Sequence, residues 1–157
     1  DCCMNLNKVA SELIFNGSSI KSLKITNNIV NLGITNNSIE MSLDIKKIDE
    51  IPQEEKRELK GYLLLNLTVT TKDQEDPSLK CKFVITVEGC FSSWMEDREI
   101  FERMLYLNGG TTLYSIARAQ ILNFSSNVFM SGKILLPLIN MIEFINQKEK
   151  EENQNKQ

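Results

Sequence analysis

The sequence predicts an α+β fold, a four-stranded antiparallel meander sheet followed by a long helix and a C-terminal helix. Three observations carry this. Four runs of period-two hydrophobicity follow one another with polar links and no helical segment between them. After Gly89 the periodicity changes to that of an amphipathic helix. Finally, Asn140 with Glu143 three residues on has the form of a capping box that opens a last helix. A chain of 157 residues fits a single domain, 1–157, or one protomer of a symmetric oligomer.

Residues 1–14 are mixed and read as a lead-in. The first strand is expected within 15–30, where Ile20, Leu23 and Ile25 are separated by Ser22, Lys24 and Thr26. Asn27-Asn28 and Asn36-Asn37 supply turn chemistry. In the second strand Ile39, Met41, Leu43 and Ile45 alternate with Glu40, Ser42, Asp44 and Lys46. The charged stretch 51–58 reads as a solvated connection. The third strand, 61–72, carries Leu63, Leu65, Leu67 and Val69 on one face. The fourth, 79–91, does the same with Leu79, Cys81, Phe83, Ile85 and Val87.

Residues 95–107 predict a short helix with an apolar stripe of Ile100, Phe101, Met104 and Leu105. Asn108-Gly109-Gly110 then predicts its C-cap, and Thr111 or Thr112 the cap of a longer helix through Val128. That second helix is apolar on more than one side: Ile116, Ala117, Ile121, Phe124 and Val128 on one, Leu113 and Leu122 beside them. It is expected to meet both its own sheet and a partner subunit. Past Ser131-Gly132, residues 134–139 form an extended apolar connection. The last helix carries Met141, Ile142, Phe144 and Ile145, and 148–157 is expected to be a flexible polar tail.

The chemistry is bounded mainly by what is missing. The chain has no histidine, which removes Ser-His-Asp and Cys-His nucleophilic catalysis, histidine-ligated zinc and the usual near-neutral proton carrier. Cys2, Cys3, Cys81 and Cys90 include no C-x-x-C pair, and small buried thiols are expected. Glu96, Asp97, Glu99 and Glu102 are interleaved with Arg98 and Arg103, as on a solvated helix face. Asn108-Gly109-Gly110 lacks the lysine and the strand-loop-helix setting of a phosphate loop. No catalytic residue, metal or cofactor is therefore expected. The net charge of −3 opposes nucleic-acid binding, and no run approaches the roughly 20 apolar residues of a membrane span. With no basic segment followed by an apolar run at the start, a cytoplasmic location is expected.

What remains is apolar sequence without an obvious intramolecular home, at 134–139 and at Phe91-Ser92-Ser93-Trp94-Met95. Exposed apolar surface often marks a binding groove, and methionine adapts to many partners.

Several strings, in order along 15–147, resemble the SecB family of chaperones. Leu67-Thr68-Val69-Thr70-Thr71 resembles the core of its third strand, and Gly89-Cys90-Phe91 the Gly-x-Phe that closes its fourth. Leu113-Tyr114-Ser115-Ile116-Ala117-Arg118-Ala119 is similar to the Leu-Phe-Pro-Tyr-Ala-Arg-Glu that opens its long helix. Leu136-Pro137-Leu138-Ile139-Asn140-Met141 matches its Leu-Pro-Pro-Ile-Asn-Phe segment. The resemblance implies a dimer of dimers whose apolar grooves hold unfolded or partly folded polypeptide without ATP. The peptide-binding candidates are then Phe91, Trp94, Met95, Phe101, Tyr106, Leu135, Leu136, Leu138 and Met141. The subunit-interface candidates are Tyr114, Ile116, Ile121, Phe124 and Val128.

In the export members, acidic residues on the outward face of the first and fourth strands meet the translocase motor. Here those positions are Ser22, Lys24 and Thr26, and Lys80, Lys82, Val84, Thr86 and Glu88, a neutral to basic set. Ser115 and Ala119 also replace the motif's proline and glutamate. These departures resemble the divergent SecB-like members that accompany toxin–antitoxin pairs and protect one antitoxin. The alternative is a non-catalytic structural or small-ligand-binding β-meander domain, which a monomer in solution would favour.

Overall fold

The computed structural model describes residues 12–54, 56–94 and 97–156. The lead-in 1–11 with Cys2 and Cys3, and also Met95 and Glu96, lie outside them. Two strands form the centre of the sheet, β3 (Lys56–Asp73) and β4 (Lys80–Ser93). On both, every odd-numbered position is buried, from Leu59 to Thr71 and from Cys81 to Phe91, while even-numbered positions are at most half-buried up to Cys90. This is what strict alternation of leucine, isoleucine, valine and phenylalanine with polar residues dictates when one sheet face is covered and the other open.

β1 (Ile14–Asn27) and β2 (Thr35–Gln53) are the edges, and all neighbours are antiparallel in the order β1-β4-β3-β2. The meander proper is thus β2-β3-β4, and β1 is added beside β4. The segment between β1 and β2 crosses the sheet end and is held along its length. Asn27 Nδ2 donates to the Ile29 carbonyl, the Lys80 N–H donates to Asn28 Oδ1, the Leu32 N–H to the Ser131 carbonyl and the Gln74 N–H to the Ile34 carbonyl. Near the start of β1 the register with β4 shifts between Phe15 and Gly17. Gly17 sits there at φ 143°, a backbone region that side chains with a Cβ rarely adopt.

β2 and β3 run well beyond the apolar alternation. They stay paired as far as Gln53 opposite Lys56, so most of the charged 51–58 stretch is strand and not a loose connection. Backbone pairing needs no apolar side chain. This arm is stabilised at its surface by Arg57–Glu50 (3.3 Å) and Lys47–Asp49 (3.3 Å) ion pairs.

The helical region also departs from expectation. α1 (Arg98–Met104) starts at Asp97, whose carboxylate accepts from the Glu99 and Ile100 N–H groups. The chain does not stop at the glycines. It passes through a π-helical turn (Leu105–Gly109) straight into α2 (Gly110–Val128), with Gly109 and Gly110 at helical φ values of −64° and −59°. Thr111 and Thr112 lie inside the helix, and their hydroxyls donate to the Leu107 and Asn108 carbonyls. An α-helix drifts by about 40° at each four-residue step. The wider turn absorbs part of that drift and keeps Phe101, Leu105, Gly109 and Leu113 on the sheet.

The glycines serve close approach. A Cβ on Gly110 would lie 2.7 Å from Leu43 Cδ2, and one on Gly89 2.6 Å from Leu113 Cδ2. A Cβ on Gly61 would lie 2.5 Å from Leu105 Cδ1 and 3.1 Å from Phe101 Cε1, both fully buried. We therefore expect Gly61→Ala to lower stability by about 1–3 kcal/mol through overpacking. Gly33→Ala, whose Cβ meets only Asp73 Oδ2 at 3.8 Å, should be near neutral; urea denaturation of both variants checks the contrast.

Candidate functional site

After α2 the chain crosses back in extended form to α3 (Met141–Gln154), whose N-terminus is capped by Asn140 Oδ1 accepting from the Glu143 N–H. α3 runs on to Gln154, into the stretch 148–157 read from the sequence as a polar tail. The crossover is tied down by side chains of α2. The Tyr114 hydroxyl donates to the Pro137 carbonyl, and Arg118 Nε donates to the Leu136 carbonyl at 2.7 Å. Ser125 Oγ accepts from the Ile134 N–H at 2.8 Å and donates to the Leu122 carbonyl. An extended chain held this way must alternate its side chains. Ile134 and Leu136 enter the core, whereas Leu135 and Leu138 stand out, 60% and 83% exposed.

This geometry sorts the candidate residues. Phe91, Phe101, Leu136 and Met141 are core residues, each 5% exposed or less, and within the protomer they offer no accessible surface. Their positions on the core-facing sides of β4, α1, the crossover and the start of α3 give the reason. Trp94 is 44% exposed and Tyr106 half-buried, and with Leu135 and Leu138 they remain on the surface; Met95 lies outside the described residues. Of the interface candidates, Tyr114 and Ile121 face their own sheet and are buried. Ile116 and Val128 are half-buried and Phe124 is exposed, so they leave an apolar stripe on α2.

α3 is thinly anchored, since Met141 is its only buried residue. Lys148 pins it further along, donating to the Leu43 carbonyl at 2.7 Å and lying 5.1 Å from the Tyr106 ring centroid. Grooves run on both sides. One, of about 370 Å³, lies between α3 and the α1 and π-turn segment, with Tyr106, Leu107, Ile142 and Ile145 as floor and Glu99, Glu102, Arg103 and Glu149 on the rim. The other, of about 320 Å³, lies between Ile139 and Phe144 on one side and Ile39 and Met41 of β2 on the other. A wider trough of about 700 Å³ lies by the β2–β3 arm, where Trp94 faces Pro52, Gln53, Glu54 and Lys56. Leu107, Ile142, Ile145 and Phe144 were not among the candidates. The three-residue spacing of apolar pairs, Met141 with Phe144 and Ile142 with Ile145, in an otherwise polar last helix was the signal for three of them.

Burial pushes the Cys81 thiol up to about 11, which keeps it protonated at neutral pH. Burial also raises Tyr114, with Arg118 opposing more weakly. Among the described residues no group of three or more histidine, cysteine or acidic side chains could hold a metal ion. No helix among them is long and apolar enough to cross a membrane.

No family model matches the sequence, and no curated protein matches it. Among solved structures, the chain is similar to the SecB-like chaperone Rv1957 of Mycobacterium tuberculosis, solved in complex with a ChAD peptide from the Rv1956 HigA1 antitoxin. The TM-score is 0.60 at 9% sequence identity, over 82% of this chain and 91% of that one. At that identity the likeness establishes the fold: this chain has the SecB-like fold.

Two outcomes test the local account. Ser125→Ala should strand the buried Ile134 N–H and cost about 1–3 kcal/mol, measured as a lowered urea midpoint. Under native conditions iodoacetamide should modify Cys90 well ahead of the fully buried Cys81, with peptide mass mapping as the readout.

Proposed function

We propose that this chain is a holding chaperone that grips unfolded or partly folded polypeptide without ATP and catalyses no reaction. The observation that carries the reading is the apolar surface left open along α3 and the crossover. Tyr106, Leu107, Ile142 and Ile145 floor a groove, and Leu135 and Leu138 project beside the helix. A soluble chain leaves such surface uncovered at a cost, and a binding role accounts for it. The similar Mycobacterium tuberculosis protein is a chaperone solved with an antitoxin peptide, which supports a polypeptide client and, more narrowly, a dedicated one such as an antitoxin.

The trough beside Trp94 is open and not an enclosed cavity, which favours a chain segment over a small ligand. Each groove is small, so affinity should come from one client occupying several of them. The apolar stripe of Ile116, Phe124 and Val128 on α2 supports assembly of protomers, with a dimer of dimers as the expected form. A cytoplasmic site of action goes with this reading.

The test is light scattering of a chemically unfolded protein diluted into buffer with and without this chain, nucleotide absent. Suppressed aggregation near stoichiometric ratios is expected. A chain that suppresses nothing and binds no unfolded segment would overturn the reading. In the double variant Trp94→Ser/Leu138→Ser, client affinity should fall by about tenfold or more, since each truncation removes about 1–2 kcal/mol of apolar contact. Both side chains are exposed, so the melting temperature and oligomeric state should not change.

A further inference from the structure

The sheet face turned away from the helices divides by charge. At one end the Glu88 carboxylate is flanked by Lys46 at 2.8 Å and Lys21 at 3.8 Å. The Lys46 hydrogen bond is the main cause of its lowered pKa. At the other end lie Lys24, Lys72, Lys80 and Lys82, and none of the four forms an ion pair among the described residues. Lys72 stands directly opposite Lys80 in the β3–β4 ladder, Lys82 lies between Thr70 and Thr26, and Lys24 is opposite Val84. With Thr26, Thr70 and Val84 the four lysines line one depression of about 460 Å³.

Like charges directly opposite on a sheet destabilise it. The chain as a whole carries a net charge of −3, so this cluster is not part of a general basic excess.

We propose that this end of the outer sheet face is a docking surface for an acidic segment of a partner protein. Lys80 and Lys82 are two residues apart on one strand, which places their side chains roughly 7 Å apart on one face. An extended segment with aspartate or glutamate at alternate positions has the same repeat, and the Thr26 and Thr70 hydroxyls can donate to its carboxylates. A nucleic acid fits less well. The depression has no arginine to fork onto phosphate and no aromatic ring to stack on a base. Exposed lysine–carboxylate pairs are individually weak, so binding must use several together and must weaken with salt.

The surface lies on the opposite side of the sheet from the α3 grooves, and the inference does not rest on the holding-chaperone reading. The probe is a fluorescein-labelled peptide of about twelve residues alternating glutamate and serine, read by anisotropy. Its glutamine analogue and an oligothymidylate of equal charge are the comparisons. The intact chain should bind the glutamate peptide at low salt, and at least about tenfold more weakly at ~300 mM salt. The variant K24Q/K72Q/K80Q/K82Q should lose about tenfold or more in affinity. Its melting temperature should hold or rise, because the Lys72–Lys80 repulsion is gone. The charge-matched variant K47Q/K60Q/K133Q/K150Q should bind as the parent does. Absence of glutamate-peptide binding, or equal losses in the two variants, would overturn the proposal. So would equal affinity for the oligothymidylate, which would make the face a general polyanion surface. In each case the scattering assay, which reads the other side of the sheet, would be unaffected.

Discussion

The structure depends on how closely the long helix can lie on the sheet. Gly61 and Gly89 on the strands, and Gly109 and Gly110 on the helix, remove side chains where the two layers would collide. Leu105, Leu113, Leu43 and Leu63 occupy the space that this opens. Interiors pack as densely as organic crystals, so the fit leaves little freedom in the position of α2 relative to β3 and β4. The π-helical turn belongs to the same constraint. It preserves one buried face through the junction between α1 and α2, where a plain α-helix would rotate it away.

Once α2 is placed, the crossover follows. Tyr114, Arg118 and Ser125 project along one side of the helix and satisfy backbone groups of the extended segment. That decides its alternation and leaves Leu135 and Leu138 in solvent. α3 then lands on a thin apolar strip with Lys148 as its distal clamp. A helix attached so lightly, with grooves on both flanks, is suited to share its apolar contacts with another chain. The two faces of the sheet therefore differ: the inner one carries the core and the walls of the grooves, and the outer one is free of helices among the described residues.

Much of this was legible in the sequence. Alternation located four strands and the buried parity of β3 and β4, because a half-covered sheet imposes period two. The Asn140–Glu143 spacing located the start of α3 to the residue, because capping is a local hydrogen bond. Gly109-Gly110 was misread for a physical reason. A glycine pair serves either positive φ or close approach, and the difference lies in what packs against it. The charged β2–β3 arm was missed because backbone pairing leaves no hydrophobic signature. Burial divides the candidate residues for a related reason: Phe91, Phe101, Leu136 and Met141 are buried within the protomer, and an apolar side chain in an extended or helical run gives no sign of which neighbours cover it.

The sequence by itself therefore determined the class of fold, the order of its elements, the inward parity of its central strands and, through the absence of histidine, the exclusion of histidine-based chemistry. These rest on local periodicity and on composition, which need no knowledge of distant residues. The tertiary structure alone decided that β1 joins β4 and not β2, that the helix runs on through its glycines, and which apolar residues reach solvent. It also decided that Lys24, Lys72, Lys80 and Lys82 share one surface. Each of these depends on contacts between residues far apart along the chain, and strand register and helix packing bring them together.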